Sequence, residues 1–331
     1  IGGQGNNRVY IWFENGIIKW WTKAEKVNAS ANTLYYLCYN LQNLTDISGL
    51  ADWNVENATV MECTFAHCNN LTDLSPIAHW NVKNVQGMTQ TFIFCSQLSD
   101  LTPLKNWDVS NVQYLDYTFG HCAKINDISP LNSWNTSNVK RMNQTFYACS
   151  SLSNLGLTNW DTGNVTTMQS MFANCSALGD VSDLKNWNTK NVTSMASMFF
   201  NCISLTNANS LNTWDTSNVT DMGATFLNCS SLTSAILPNW NTAKVTSMGS
   251  MFDGCKKLSS LNLSDWNTQN VTNMNRMFNA CNALKDVSSI NDWDIANVTS
   301  FEYMFYGCPS HPEFTKRSGT WNSSGTFTLT T

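Results

Sequence analysis

Ten cysteines recur at a near-constant interval: Cys68, Cys95, Cys122, Cys149, Cys175, Cys202, Cys229, Cys255, Cys281 and Cys308. A ladder of thiols invites two chemistries, metal ligation and disulfide exchange. Neither suits this pattern. No CxxC pair occurs, and each Cys stands where a repeat needs a small apolar residue, which is how a buried free thiol behaves. An oxidising compartment normally reads as disulfides, yet parallel side chains entering one core have poor cross-linking geometry. Cys38 and Cys63 lie off the ladder and are the candidates for a bridge that would staple the N-terminal end to the first full coil.

His67 and His121 each precede a ladder Cys, but Phe94 holds that place between them. Two coils at strand spacing separate the imidazoles by about 10 Å, whereas zinc ligands must converge to about 2 Å from the metal. His79 and His311 have no evident partner. No Ser is singled out by a base and an orienting group, no carboxylate pair is fixed by a motif, and no Gly-rich phosphate loop occurs. We therefore expect no enzyme, no metal and no cofactor.

The polar columns are more informative. Asp46, Asp73, Asp100, Asp127, Asp180 and Asp286 share one aligned position, which becomes Asn154, Asn207, Ser234 and Ser260 in other coils. Asp73, Asp100, Asp127 and Asp180, with Ser75, Thr102, Ser129 and Ser182, are the candidate ligand-binding residues. Fixed edge carboxylates also keep a sheet soluble. Asn57, Asn84, Asn111, Asn138, Asn164, Asn191, Asn218, Asn270 and Asn297 form a second column, broken by Lys244. Some match the glycosylation sequon, but a corner amide bonded within a stack cannot also carry a glycan. Thr166, Thr193, Thr220, Thr246, Thr272 and Thr299 make a third column.

What must position these residues is a repeat. Trp53, Trp80, Trp107, Trp134, Trp160, Trp187, Trp214, Trp240, Trp266 and Trp293 recur in fixed register with Phe and Cys, and length varies only between a Cys and the next Trp. CSSLSNLGLTNW, CSSLTSAILPNW and CKKLSSLNLSDW are one residue shorter than forms such as CSQLSDLTPLKNW. An apolar residue about every third position fits a polygonal coil better than a sustained helix or strand. One such coil cannot bury its own faces, so it must stack, and its ends need caps.

The LxxLxL stretch after Cys, clearest in Leu258, Leu261 and Leu263, predicts a strand in a parallel sheet. MxxMFxxC, as in MASMFFNC, has i, i+3, i+4 spacing and predicts one or two helical turns on the opposite face. The expected fold is thus α/β, a leucine-rich-repeat-like solenoid of ten repeats, curved with its strands inside. Residues 1–40 are expected to form an N-terminal cap with a β-hairpin around Asn15-Gly16, residues 41–308 the solenoid, and 309–331 a C-terminal β cap. Cys38 aligns with the Phe position of a degenerate first coil.

Only 12% of residues are charged, net charge is −5, and Asn, Ser and Thr must cover much of the surface. A nucleic-acid partner would need a basic stripe, so none is expected, and an anionic membrane surface is disfavoured for the same reason. No apolar run is long enough for a membrane-inserted helix. The segment starts without a signal-like sequence, so we expect it to be trimmed from a longer chain carrying any export signal or anchor.

The pattern WNTSNVxxMxxMFxxCxxLxxLxxLxxW, over about residues 33 to 308, resembles the BspA-type leucine-rich-repeat surface proteins of bacteria, also seen in mycoplasma lipoproteins. The resemblance implies an extracellular, surface-attached adhesin whose partner is a host extracellular or cell-surface protein. From it and the columns we expect a monomeric, non-catalytic adhesion or recognition module that binds protein through its strand face. The competing reading is a structural stalk that holds another domain off the cell wall.

Overall fold

The computed structural model describes residues 9–23 and 26–330, so parts of both expected caps (1–8, 24–25 and 331) lie outside the described residues. The chain divides into two compact units, Ile1–Asn164 and Val165–Thr331.

In the first unit, β1 (Tyr10–Glu14) and β2 (Ile17–Trp21) form the hairpin. Its turn residues Asn15 and Gly16 sit at φ 52° and 81°, the left-handed pair that such a two-residue turn requires. The Gly16 carbonyl accepts the Thr45 N–H at 2.8 Å, tying the hairpin to the first coil. Coils then stack through single parallel bridges, Val60 to Gly87 to Tyr114 to Arg141.

Each coil buries the same columns. Phe65, Phe92, Phe119 and Phe146 are fully buried and stack face to face, with centroids 5.5–5.6 Å apart. Indole N–H groups satisfy carbonyls of the previous coil: Trp80 donates to Leu50 at 3.2 Å and Trp134 to Leu104 at 2.9 Å. Thr64, Thr91, Thr118 and Thr145 are buried too, each hydroxyl reaching a carbonyl of its own coil and one of the coil before. A buried hydroxyl without such partners would cost stability.

The MxxMFxxC stretch departs from its expected helix. Residues 88–95 form linked turns, closed by Thr91 N–H to Met88 O, Ile93 N–H to Gln90 O and Cys95 N–H to Phe92 O. The N–H groups between them go to the next coil, Phe92 to Thr118 O and Phe94 to Gly120 O, both at 2.8 Å. A helix would spend every N–H inside its own coil; alternating turns release half of them for stacking. The conformation needs two left-handed residues per coil, such as Gln90 (φ 57°) and Phe94 (φ 61°). Turns of this kind place Met88, Phe92 and Cys95 inward at helix-like spacing, which is why the pattern mimicked a helix.

The segment between Cys and Trp takes one of two forms. Every thirteen-residue version, as in 68–80, 95–107 and 122–134, holds a 3-10 turn: Ser75–Ile77, Thr102–Leu104 and Ser129–Ser133. The shorter 149–160 holds none and instead bridges Asp127 with Asn154. The expected parallel strand face is therefore interrupted between successive long forms, such as 68–80 and 95–107, and resumes where a short form follows a long one, as at Asp127 and Asn154.

The second unit repeats this scheme. Its long forms carry Ser182–Leu184, Asn209–Thr213 and Ser288–Ile290 as 3-10 turns. Its two short forms become β3 (Ser234–Ile236) and β4 (Ser260–Asn262), paired in parallel. Trp187, Trp214, Trp240, Trp266 and Trp293 stack with planes within 5° of parallel. Further along, β5 (Gly319–Trp321) and β6 (Phe327–Leu329) form an antiparallel hairpin. Its Trp321 and Phe327 pack on Phe305 and Phe301, covering the last coil with aromatic surface.

Candidate binding surface

The aspartate column and the one-residue length difference are a single structural feature. Each Asp accepts the main-chain N–H two residues on: Asp73 from Ser75, Asp100 from Thr102 and Asp127 from Ser129, all at 2.8 Å, and in the second unit Asp180 from Ser182 at 2.9 Å. This side-chain turn starts the 3-10 segment. Asn207 does the same for Asn209. Short coils have no such turn to start, so Asn154, Ser234 and Ser260 replace the acid. At Asp46 and Asp286, the hydrogen bonds from Ser48 and Ser288 hold the carboxyls below the usual carboxylate range.

The candidate residues are therefore placed in advance. Asp73, Ser75, Asp100, Thr102, Asp180 and Ser182 are exposed, and Asp127 and Ser129 half-buried. Asp73 and Asp180 spend their second oxygen on the Ser75 and Ser182 hydroxyls. Asp127 uses one oxygen twice, accepting also from Asn154 at 2.9 Å. In the first unit, Thr102 and Ser129 line an open hollow of about 460 Å³ with Lys105, Asn132, Ser133 and Asn159. Asp73, Asp100 and Asp127 belong to that unit and Asp180 to the other.

The asparagine column is a ladder of corner amides. Asn84 donates to Glu56 O, Asn111 to Lys83 O and Asn138 to Ser110 O, each at 2.7 Å. In the second unit Asn218, Asn270 and Asn297 do likewise, and Lys244 reaches the Asn218 amide oxygen instead. The threonine column there is also engaged: Thr193, Thr220, Thr246, Thr272 and Thr299 hydroxyls donate to the carbonyl of the preceding column member.

Every ladder Cys from Cys68 to Cys149 donates its thiol to a carbonyl thirty residues back. Cys68 meets the Cys38 carbonyl as Cys95 meets that of Phe65, which places Cys38 at the Phe position of the first coil. Cys38 and Cys63 are unbridged; Cys63 instead donates to the Gln90 amide at 3.2 Å. Burial pushes the thiols of Cys68, Cys95, Cys122 and Cys149 up, to about 12 for Cys68 and Cys149, so the thiolates needed for exchange or ligation are suppressed there.

Sequence reasoning set His67 and His121 apart and missed what joins them. His67 stacks on Phe94 at 4.6 Å and Phe94 on His121 at 4.1 Å, with planes within 14°. Tyr39 meets His67 edge-on and Tyr147 meets His121. Tyr35, Tyr36 and Tyr39, at 44–49% exposure, extend this aromatic row. The signal for His67, Phe94 and His121 was one column, the residue before each Cys, while the tyrosines lie off it. Burial, and secondarily His67, draws the His121 pKa down. Among the described residues no group of three or more His, Cys, Asp or Glu converges as a metal site, and no helix is long and apolar enough to cross a membrane.

A family model described as "Mycoplasma protein of unknown function, DUF285" matches residues 32–151, 115–236 and 200–321. No curated protein matches the chain. Among solved structures, a leucine-rich repeat protein from Bacteroides ovatus is 14% identical, covering 82% of this chain and 87% of that one with a TM-score of 0.36. An internalin from Listeria monocytogenes is 15% identical over 73% of this chain and 76% of its own, at 0.20. The functional domain of the Listeria monocytogenes protein InlJ, described as including a cysteine ladder, is 12% identical over 83% and 69%, at 0.15.

Proposed function

Since the chain belongs to the DUF285 family and each unit is a leucine-rich-repeat-like solenoid, we propose that it is a non-catalytic adhesion and recognition module of a bacterial cell surface. It acts outside the cell, as a monomer, and binds a protein of a host or a neighbouring cell. The binding residues are Asp73, Ser75, Asp100, Thr102, Asp127 and Ser129 in the first unit and, separately, Asp180 and Ser182 in the second.

The observation that carries this reading is that the carboxylates are fixed by their own turns before any partner arrives. Little side-chain entropy is then lost on binding, and preorganisation of this kind is a main source of affinity. The exposed tyrosines of the first unit supply a residue type enriched among the anchors of protein contacts.

Asn207 shows that an amide can close the same turn, which gives a test that spares the fold. Asp100→Asn with Asp127→Asn should keep the wild-type melting temperature while capture of matrix or serum proteins weakens about tenfold, the loss of a charged contact or two. Undiminished capture by this variant and by Asp100→Lys with Asp127→Lys would leave the stalk reading, under which removing four coils, not charge, reduces adhesion.

A further inference from the structure

Three pairs of adjacent basic residues occur in the chain: Lys140-Arg141, Lys256-Lys257 and Lys316-Arg317. The coils hold the first two. Lys140 and Arg141 both donate their N–H to the Gln113 carbonyl, and the Arg141 carbonyl accepts the Leu115 N–H at 3.0 Å. Lys256 and Lys257 lie between Cys255 and Leu258, whose side chains are fully buried. Lifting either pair away would break bonds between coils or drag core side chains into water.

Lys316-Arg317 is placed differently. It lies on the irregular segment that joins the last coil to β5, and Lys316, Arg317 and Ser318 are all exposed. The segment is anchored at both ends: Thr315 donates its N–H to the Asn291 carbonyl at 2.9 Å and its hydroxyl to Asp292 at 2.6 Å, and the Ser318 carbonyl accepts the Thr330 N–H at 3.0 Å. Between these anchors, among the described residues, neither the N–H nor the carbonyl of Lys316 or Arg317 is hydrogen-bonded, and the Ser318 N–H has no partner. The Arg317 guanidinium makes one long contact, to the Ala296 carbonyl at 3.4 Å. A protease cleft takes several residues in extended form, so cutting favours exposed segments whose backbone can be lifted without unfolding the body. Aromatic side chains nearby are withheld, since Phe314 is half-buried against Trp321 and Phe327.

We infer that Lys316-Arg317 is a processing site, at which a serine protease of trypsin-like specificity severs the C-terminal cap from the coils. The specificity pocket of such a protease carries a carboxylate that takes Lys or Arg. Water is the co-reactant: the C–N bond between Arg317 and Ser318 breaks, the water oxygen joins the Arg317 carbonyl carbon and the Ser318 nitrogen takes the proton, leaving a carboxylate and an ammonium. The cap is then held by contact alone, through Trp321 on Phe305, Phe327 on Phe301 and the Phe305 N–H on the Gly325 carbonyl. An isolated two-stranded hairpin is marginally stable, and a severed tether no longer supplies the effective concentration that keeps it docked. Cutting therefore uncaps the stack and bares the buried rings of Phe301 and Phe305. The site is independent of the aspartate residues and of the function proposed for them.

The test is limited proteolysis of the whole native chain with trypsin and, in parallel, chymotrypsin, the cuts being mapped by mass spectrometry. From Val27 onward, where the Asn54 N–H ties the chain to the first coil, the first bond trypsin cuts should follow Lys316 or Arg317. Lys316→Gln with Arg317→Gln should slow cutting of this segment by about a hundredfold or more and leave the melting temperature of the uncut protein unchanged. Chymotrypsin should spare residues 311–318, and the fully cut protein should melt below the intact one. A first tryptic cut within the coils, chymotryptic cutting of this segment as fast as tryptic, or a melting temperature that cutting does not lower would overturn the inference.

Discussion

The Cys122 thiol donates to the Phe92 carbonyl at 3.1 Å, thirty residues back and one coil away. That carbonyl already accepts the Cys95 N–H at 3.0 Å, so the thiol fills its second lone pair. The ladder is therefore a column of weak donors stitching coils together, beyond its part in apolar packing.

A substitution series separates stitching from mere packing. Cys122→Ser keeps a donor, whereas Cys122→Ala loses both donor and volume. We expect Ala to destabilise by about 1–2 kcal/mol more than Ser, read from urea unfolding. If the site asked only for a small apolar residue, Ser would be the worse of the two.

Left-handed backbone in the linked turns makes the residue before each Cys a conformational test site. Ala148 sits there at φ 58°, and Ala148→Gly should stabilise by about 0.5–1 kcal/mol by relieving that strain. Gly254 occupies the same position at φ 74°, and an added Cβ would lie 2.3 Å from the Asn228 Oδ1. Gly254→Ala should therefore lower the melting temperature while Ala148→Gly raises it.

The stacked imidazole of His121 makes stability depend on pH. Its folded pKa is drawn below the ordinary 6.5, first by burial and then by His67. The unfolded chain then takes up a proton more readily, so this contribution is fully present above about pH 6.5 and is lost as pH falls through and below that value. His121→Phe, which keeps a stackable ring, should flatten the decline in melting temperature between neutral pH and pH 5. An unchanged slope would mean the ring is not protected from protonation.

Much of this was legible because Trp, Phe and Cys keep fixed register, and only stacked coils use such a pattern. The corner amides of Asn84, Asn111 and Asn138 were readable for the same reason. The turns at residues 88–95 were not, because Met88, Phe92 and Cys95 have the spacing a helix would give them. A clue stood beside the Cys column: Asn174, Asn201, Asn228, Gly254 and Gly307 are residue types that tolerate left-handed backbone, but Phe94 and Ala148 obscured it. The acid column and the shorter Cys-to-Trp segments were both visible, yet only the hydrogen bonds from Ser75, Thr102 and Ser129 show that the extra residue and the Asp serve one turn. That the buried Trp53 N–H, unlike those of Trp80 and Trp134, has no hydrogen-bond partner had no sequence signal, since Trp53 looks like every other member of its column.

Counting the thiols tests most directly whether they fill a dry interior without cross-linking or binding metal. In the native protein without reductant, a thiol reagent should label Cys308 at most, the one Cys that is not fully buried. After unfolding, still without reductant, all 12 cysteines should react. Rapid native labelling of several thiols, or fewer than the full set after unfolding, would contradict the account.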